Sequence, residues 1–178
     1  MDITQIMIFI LGVVLGSFYN VCIYRIPLKK SIIKGRSYCP NCNTKLKKRS
    51  LIPIFSYLIQ KGKCRECGQA ISPQYIIIEI STGVLFLLNY MRFGLSYKLL
   101  IGLFISSVIL IAITIDFYKS ILPNKLTYLL IASGVLLLPF NPFLINYKQG
   151  LVGGGLMFIF FFIMALFGMG LGDLKFMF

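Results

Sequence analysis

The chain has 178 residues, 58% of them hydrophobic, and sets 18 lysines and arginines against only 5 acids, a formal charge of +13. A soluble domain this small has too much surface to keep so little of it polar. That composition excludes a cytosolic enzyme, a disulfide-rich secreted miniprotein and an acidic disordered tail. Nor does a basic balance alone make a nucleic-acid binder, which needs no hydrophobic majority. An integral membrane protein remains.

Five apolar stretches follow one another along the chain. Ile3 to Tyr24, Leu99 to Ile115, Leu126 to Tyr147 and Gln149 to Gly172 carry no charge, and Tyr75 to Met91 carries only Glu79. Each has 17 residues or more, enough to cross about 30 Å of hydrocarbon as a helix. The expected fold is therefore an α-helical polytopic membrane protein of about five transmembrane helices in a lipid bilayer. The first stretch is too long, and lacks the basic start, for a cleaved signal peptide.

Orientation follows from the bases. Twelve of the 18 lie between Arg25 and Arg65 with no acid among the residues from Arg25 to Lys63. Short basic loops stay in the cytoplasm, which puts the N-terminus outside. Counting crossings from there brings Asp116, after the third stretch, and Asp173, after the fifth, to the cytoplasmic face. The expected organisation is a transmembrane helix over 1–24, a basic cytoplasmic loop domain over 25–74 and a transmembrane domain over 75–178.

The loop holds two pairs, Cys39-Pro40-Asn41-Cys42 and Cys64-Arg65-Glu66-Cys67, with 21 residues between them. That spacing is typical of a structural zinc site with four thiolate ligands, each pair forming a knuckle. A cytoplasmic setting argues against disulfides, though a redox pair or a metal-free thiol cluster remains open. Leu51 to Ile59 is apolar but short and contains Pro53, so it reads as loop packing or an interfacial segment. Cys22, within the first stretch, reads as a buried and inert thiol.

The acids divide by position. Asp2 and Glu66 read as solvated. Glu79, a turn into its stretch, is expected near the interface, bonded to a neighbouring helix, or functional. Asp116 and Asp173 form a possible pair: two close carboxylates share a proton, so one can activate water while the other protonates a scissile carbonyl. The chain has no histidine, which removes Ser-His and Cys-His arrangements. Gly170 and Gly172, around Leu171, would let a backbone approach Asp173 closely. Two aspartates that merely meet water at helix ends are the alternative.

These residues resemble one family, the type IV prepilin peptidases, which are GxGD aspartyl proteases. Gly16-Ser17-Phe18-Tyr19-Asn20-Val21-Cys22-Ile23-Tyr24-Arg25-Ile26-Pro27 looks like the family's opening motif, and the paired cysteines look like its zinc-binding loop. Leu51-Ile52-Pro53 with Ser56-Tyr57, and Ser72-Pro73-Gln74-Tyr75 with Glu79, match the segment leading into the second helix. Asp116 through Asn124 and Gly170-Leu171-Gly172-Asp173 look like the two catalytic motifs. The resemblance implies cleavage of a short basic leader, after a glycine, from type IV prepilin or competence pseudopilin precursors at the cytoplasmic side of a bacterial plasma membrane. It also implies N-methylation of the new terminus from S-adenosylmethionine, with Asp116 and Asp173 as the dyad and the cysteine loop associated with methyl transfer. Family members continue past the GxGD motif whereas this chain stops five residues beyond Asp173, which suggests a shortened sequence. Against the enzyme stand two alternatives: a membrane-anchored zinc-knuckle module that recruits partners or anionic lipids, and an inactive peptidase.

Overall fold

The computed structural model describes residues 2–33, 35–39, 41–46, 48–120, 124–137, 152–153 and 155–156. It comprises two compact units, Met1–Leu95 and Ser96–Phe178. The expected fifth stretch lies mostly outside the described residues, and so do Gly170, Gly172 and Asp173.

The first unit is built on two long helices, α1 (Ile3–Arg25) and α3 (Gln74–Phe93), with the cysteine loop and the short α2 (Phe55–Ile59) between them in sequence. One stripe of α1, through Gly12, Val13, Gly16, Asn20 and Ile23, is buried, and the matching stripe of α3 is Ile78, Glu79, Thr82, Gly83 and Phe86. The polar members of both stripes face inward, while Ile3, Met7, Ile10, Ile77 and Leu88 are exposed. A water-soluble helix pair has the opposite arrangement. In a bilayer it is the expected one, because lipid replaces the core and polar side chains seek the helix interface.

The two backbones meet closely because glycines line the seam. A Cβ on Gly12 would lie 2.8 Å from the Gly83 Cα, and one on Gly16 would lie 2.8 Å from the Glu79 Cα. Gly12 and Gly16 are four residues apart, the small-residue spacing of close membrane helix contacts. α3 ends at Gly94, whose φ of +58° suits glycine and whose N–H bonds to the Tyr90 carbonyl.

The second unit contains α4 (Tyr97–Lys119) and α5 (Asn124–Leu137), which pack together. Its core includes Ile111, Ala112, Thr114 and the wholly buried Ile115 from α4, with Leu126 and Thr127 from α5. The helix runs further than the uncharged stretch: Asp116 lies inside the last turn of α4 rather than beyond it. Residues Asp116 to Lys119 continue the helical hydrogen bonding, and Ser120 stops it at φ +49° with its N–H 2.6 Å from the Asp116 carbonyl. Among the described residues, α1, α3 and α4 are long and apolar enough to cross a membrane. The described part of α5 has 14 residues, and the rest of its stretch lies outside the described residues.

The glycine seam is open to test. Gly16→Ala should cost about 1–3 kcal/mol, because the methyl group meets backbone that cannot rotate away. Thermal unfolding in detergent should show a lowered midpoint, and an unchanged midpoint would mean that the helices are not held this close.

Candidate functional site

The two cysteine pairs fold as structural copies of one another. In the first, the Cys39 N–H bonds to the Thr44 carbonyl, the Asn43 N–H to the Cys39 carbonyl and the Leu46 N–H to the Ser37 carbonyl. The second repeats these offsets with Cys64 to Gln69, Gly68 to Cys64 and Ile71 to Gly62. Single antiparallel bridges, Tyr38 with Lys45 and Lys63 with Ala70, complete each knuckle at equivalent positions. The turn residue after each second cysteine is left-handed, at φ +55° for Asn43 and +69° for Gly68. Asparagine and glycine tolerate that conformation best.

This shared geometry turns the four thiols toward one point. The Sγ atoms of Cys39, Cys42, Cys64 and Cys67 all lie within 4.8 Å of one another. Cys39 Sγ is 3.9 Å from Cys67 Sγ, and all four cysteines are free. Disulfide sulfurs sit about 2.0 Å apart, whereas four thiolates each about 2.3 Å from one tetrahedral ion lie about 3.8 Å apart. The cluster therefore fits a metal ion and not a crosslink.

Hydrogen bonds already divide the thiols. The Thr44 side chain and backbone hold Cys42 down at about 6. The Cys67 and Glu66 backbone amides lower Cys64. The Gln69 amide acts to lower Cys67, but desolvation and hydrogen bonding with the other three thiols outweigh it and push Cys67 up to about 11.

The loop is tied to the helices at two points. Arg25, buried at the end of α1, donates to the carbonyls of Ser31 at 2.9 Å and of Gly35 and Arg36 at 3.3 Å. The second tie is Glu79. Its carboxylate, 7% exposed, accepts the Ile54 N–H at 2.7 Å and a hydrogen bond from the Ser17 side chain. Ile54 is held at φ +60°, ψ −58°, with the Phe55 N–H 2.6 Å from the Pro53 carbonyl. That is a tight γ-turn of the strained hand, rare for a β-branched residue. Such a conformation costs of order 1–3 kcal/mol, and it needs a surrounding contact to persist.

Between these ties lies a cavity of about 460 Å³, lined on the helix side by Ser17, Asn20 and Glu79 and on the loop side by Lys45 and Arg65. Asn20 is 4% exposed and its Nδ2 donates to the Tyr75 carbonyl at 3.0 Å. In the sequence Arg25 is a basic residue within the opening motif and Asn20 a letter of the same motif, and neither signals these contacts. Glu79 bonds to both a neighbouring helix, through Ser17, and the loop, through Ile54. Cys22 is buried, Glu66 is exposed, and α2 carries exposed Phe55, Leu58 and Ile59, as an interfacial segment would. Asp116 is exposed on α4, in the second unit. Its expected partner, Asp173, lies outside the described residues together with Gly170 and Gly172.

Residues 10–93 match the Bacterial Peptidase A24 N-terminal domain, and residues 103–178 match the Type IV leader peptidase family. Curated relatives from several bacteria carry the name prepilin leader peptidase/N-methyltransferase. The Bacillus subtilis protein is 39% identical over 94% of this chain and 68% of its own length. The Myxococcus xanthus protein is 36% identical over 92% of this chain and 48% of its own length. The Vibrio cholerae protein is 35% identical over 93% of this chain and 72% of its own length. No solved structure matches the chain.

Metal binding should follow pH in a definite direction. Between pH 6 and 8 the Cys67 thiol, at about 11, keeps its proton and must release it to become a ligand, whereas Cys42, at about 6, loses its proton at the bottom of this range. Zinc affinity should therefore rise from pH 6 to pH 8, by roughly tenfold per unit for each proton displaced. Competition with a chromophoric chelator measures this, and a pH-independent affinity would contradict the four-thiolate site.

Proposed function

Since the chain belongs to the type IV leader peptidase family, we propose that it is an intramembrane aspartic endopeptidase that removes the leader from type IV prepilin-like precursors and methylates the new N-terminus. The observation that carries this reading is the succession of the two matched segments, 10–93 with the cysteine knuckles and 103–178 with Asp116 and Asp173. The site of action is the cytoplasmic face of a bacterial plasma membrane. The twelve bases between Arg25 and Arg65 support that orientation, and the outward apolar faces of α1 and α3 support the lipid setting.

Asp116 and Asp173 act as a dyad that shares one proton. The ionised carboxylate takes a proton from water, whose oxygen adds to the scissile carbonyl carbon. The protonated partner gives its proton to the carbonyl oxygen. Collapse of the adduct breaks the C–N bond: the leaving amine takes the proton that the first carboxylate gained from water, and the adduct's hydroxyl returns one to the second. Exposure of Asp116 at the end of α4 suits a group that must meet a peptide and a water.

Cys39, Cys42, Cys64 and Cys67 would hold zinc in a structural role, since a closed set of four thiolates leaves no position for a substrate. The ion joins two knuckles in a loop too small to bury a core of its own. S-adenosylmethionine, when bound, would supply an electrophilic methyl group to the new amine. This chain's part is to hold donor and amine together and to accept the proton that the nitrogen loses.

Asp116→Asn and Asp173→Asn should each lower precursor turnover by about 10²–10⁴-fold with membrane insertion unchanged. Cleavage of a synthetic precursor by protein in detergent, followed on a gel, checks both, and wild-type turnover by either variant would remove that residue from the dyad.

A further inference from the structure

The peptidase dyad leaves the 460 Å³ cavity of the first unit without a task. Its volume falls within the range of about 300–1,000 Å³ usual for small-molecule sites. The chemistry of its walls is uneven. The helix side offers acceptors: the buried Glu79 carboxylate, with lone pairs beyond those given to Ile54 and Ser17, and the amide of Asn20. The Asn20 Oδ1 is buried and has no hydrogen-bond partner in the structure. Its orientation is fixed, because Nδ2 is committed to the Tyr75 carbonyl. Buried acceptors are normally satisfied, so an orphan beside a cavity marks a missing donor. The loop side offers the cations Lys45 and Arg65, and Tyr24 and Tyr57 add aromatic surface.

A ligand that fits must bring a positive, hydrogen-bond-donating group to the helix side, a negative group to the loop side and a flat ring to the tyrosines. S-adenosylmethionine has all three in its ammonium, carboxylate and adenine. Resting on the methyltransferase reading above, we propose that this cavity binds S-adenosylmethionine, with Glu79 and Asn20 accepting from its ammonium group and Lys45 and Arg65 facing its carboxylate. Glu79 then has two connected tasks, since the carboxylate that binds the donor also holds the Ile54 turn of the loop above it. Zinc contributes indirectly, by fixing the knuckles that carry Lys45 and Arg65.

The test uses the zinc-loaded full-length protein in nanodiscs and labelled S-adenosylmethionine, with equilibrium binding and photo-crosslinking as readouts. Glu79→Gln, which can still accept the Ile54 N–H, should weaken binding by about 10- to 100-fold while one zinc per chain is retained. Asn20→Leu should weaken it less, and the wild-type crosslink should map within residues 17–79. Wild-type affinity in both variants, or a crosslink confined to residues 96–178, would overturn the assignment. Should a variant fail to retain zinc, the wild-type crosslink decides by itself. A wild-type protein that neither binds nor uses the donor would instead refute the methyltransferase reading, and this assignment with it.

Discussion

Much of the first unit depends on one hydrogen bond, from the Ile54 backbone to the Glu79 carboxylate at 2.7 Å. A carboxylate within an apolar helix is costly unless its oxygens are satisfied. Here the satisfaction comes from outside the membrane helices, from a loop turn that is itself unfavourable alone. Each side makes the other tenable: the γ-turn presents an N–H to the acid, and the acid holds the γ-turn. Gly16 lets α1 lie against the backbone of α3 at Glu79, which brings Ser17, one residue further on, to the same carboxylate.

From that point the loop is built outward by repetition. Two knuckles with the same backbone hydrogen bonds converge their thiols within 4.8 Å, and Arg25 gathers the carbonyls of the incoming chain. A loop of this size has little apolar area to bury, so a thiol cluster that fits a metal ion and a few charged anchors stand where a core does elsewhere. The same construction leaves a cavity between helix ends and knuckles, walled by helix on one side and by the hydrogen-bonded knuckles on the other.

The parts legible in the sequence were those with a strong local signal. Long apolar runs announced α1, α3 and α4, the second of them despite Glu79, and CxxC spacing announced the thiol cluster because knuckle geometry is local. The end of α4 was misjudged at Asp116 because a run of apolar residues marks the hydrocarbon and not the helix, and Asp116 to Lys119 continue the turn beyond it. Gly12 and Gly16 stand four residues apart, but nothing local in the sequence names Gly83 as their partner, since helix pairing joins residues far apart in the chain. The Glu79–Ile54 bond was unreadable for the same reason: 25 residues separate the two, and a strained isoleucine has no sequence signature. Asn20 and Arg25 stood in a motif whose letters gave no hint that one would cap loop carbonyls and the other keep a free acceptor.

On the proposed function, one membrane chain carries two activities: cleavage by Asp116 and Asp173, and methyl transfer served by the loop-capped helix pair. The measurement that tests it most directly is mass spectrometry of a synthetic pseudopilin precursor after incubation with the purified protein and S-adenosylmethionine. The account predicts a product that has lost its leader after the glycine and carries one methyl group on the new terminal nitrogen. A precursor recovered intact, or methylated without cleavage, would contradict it.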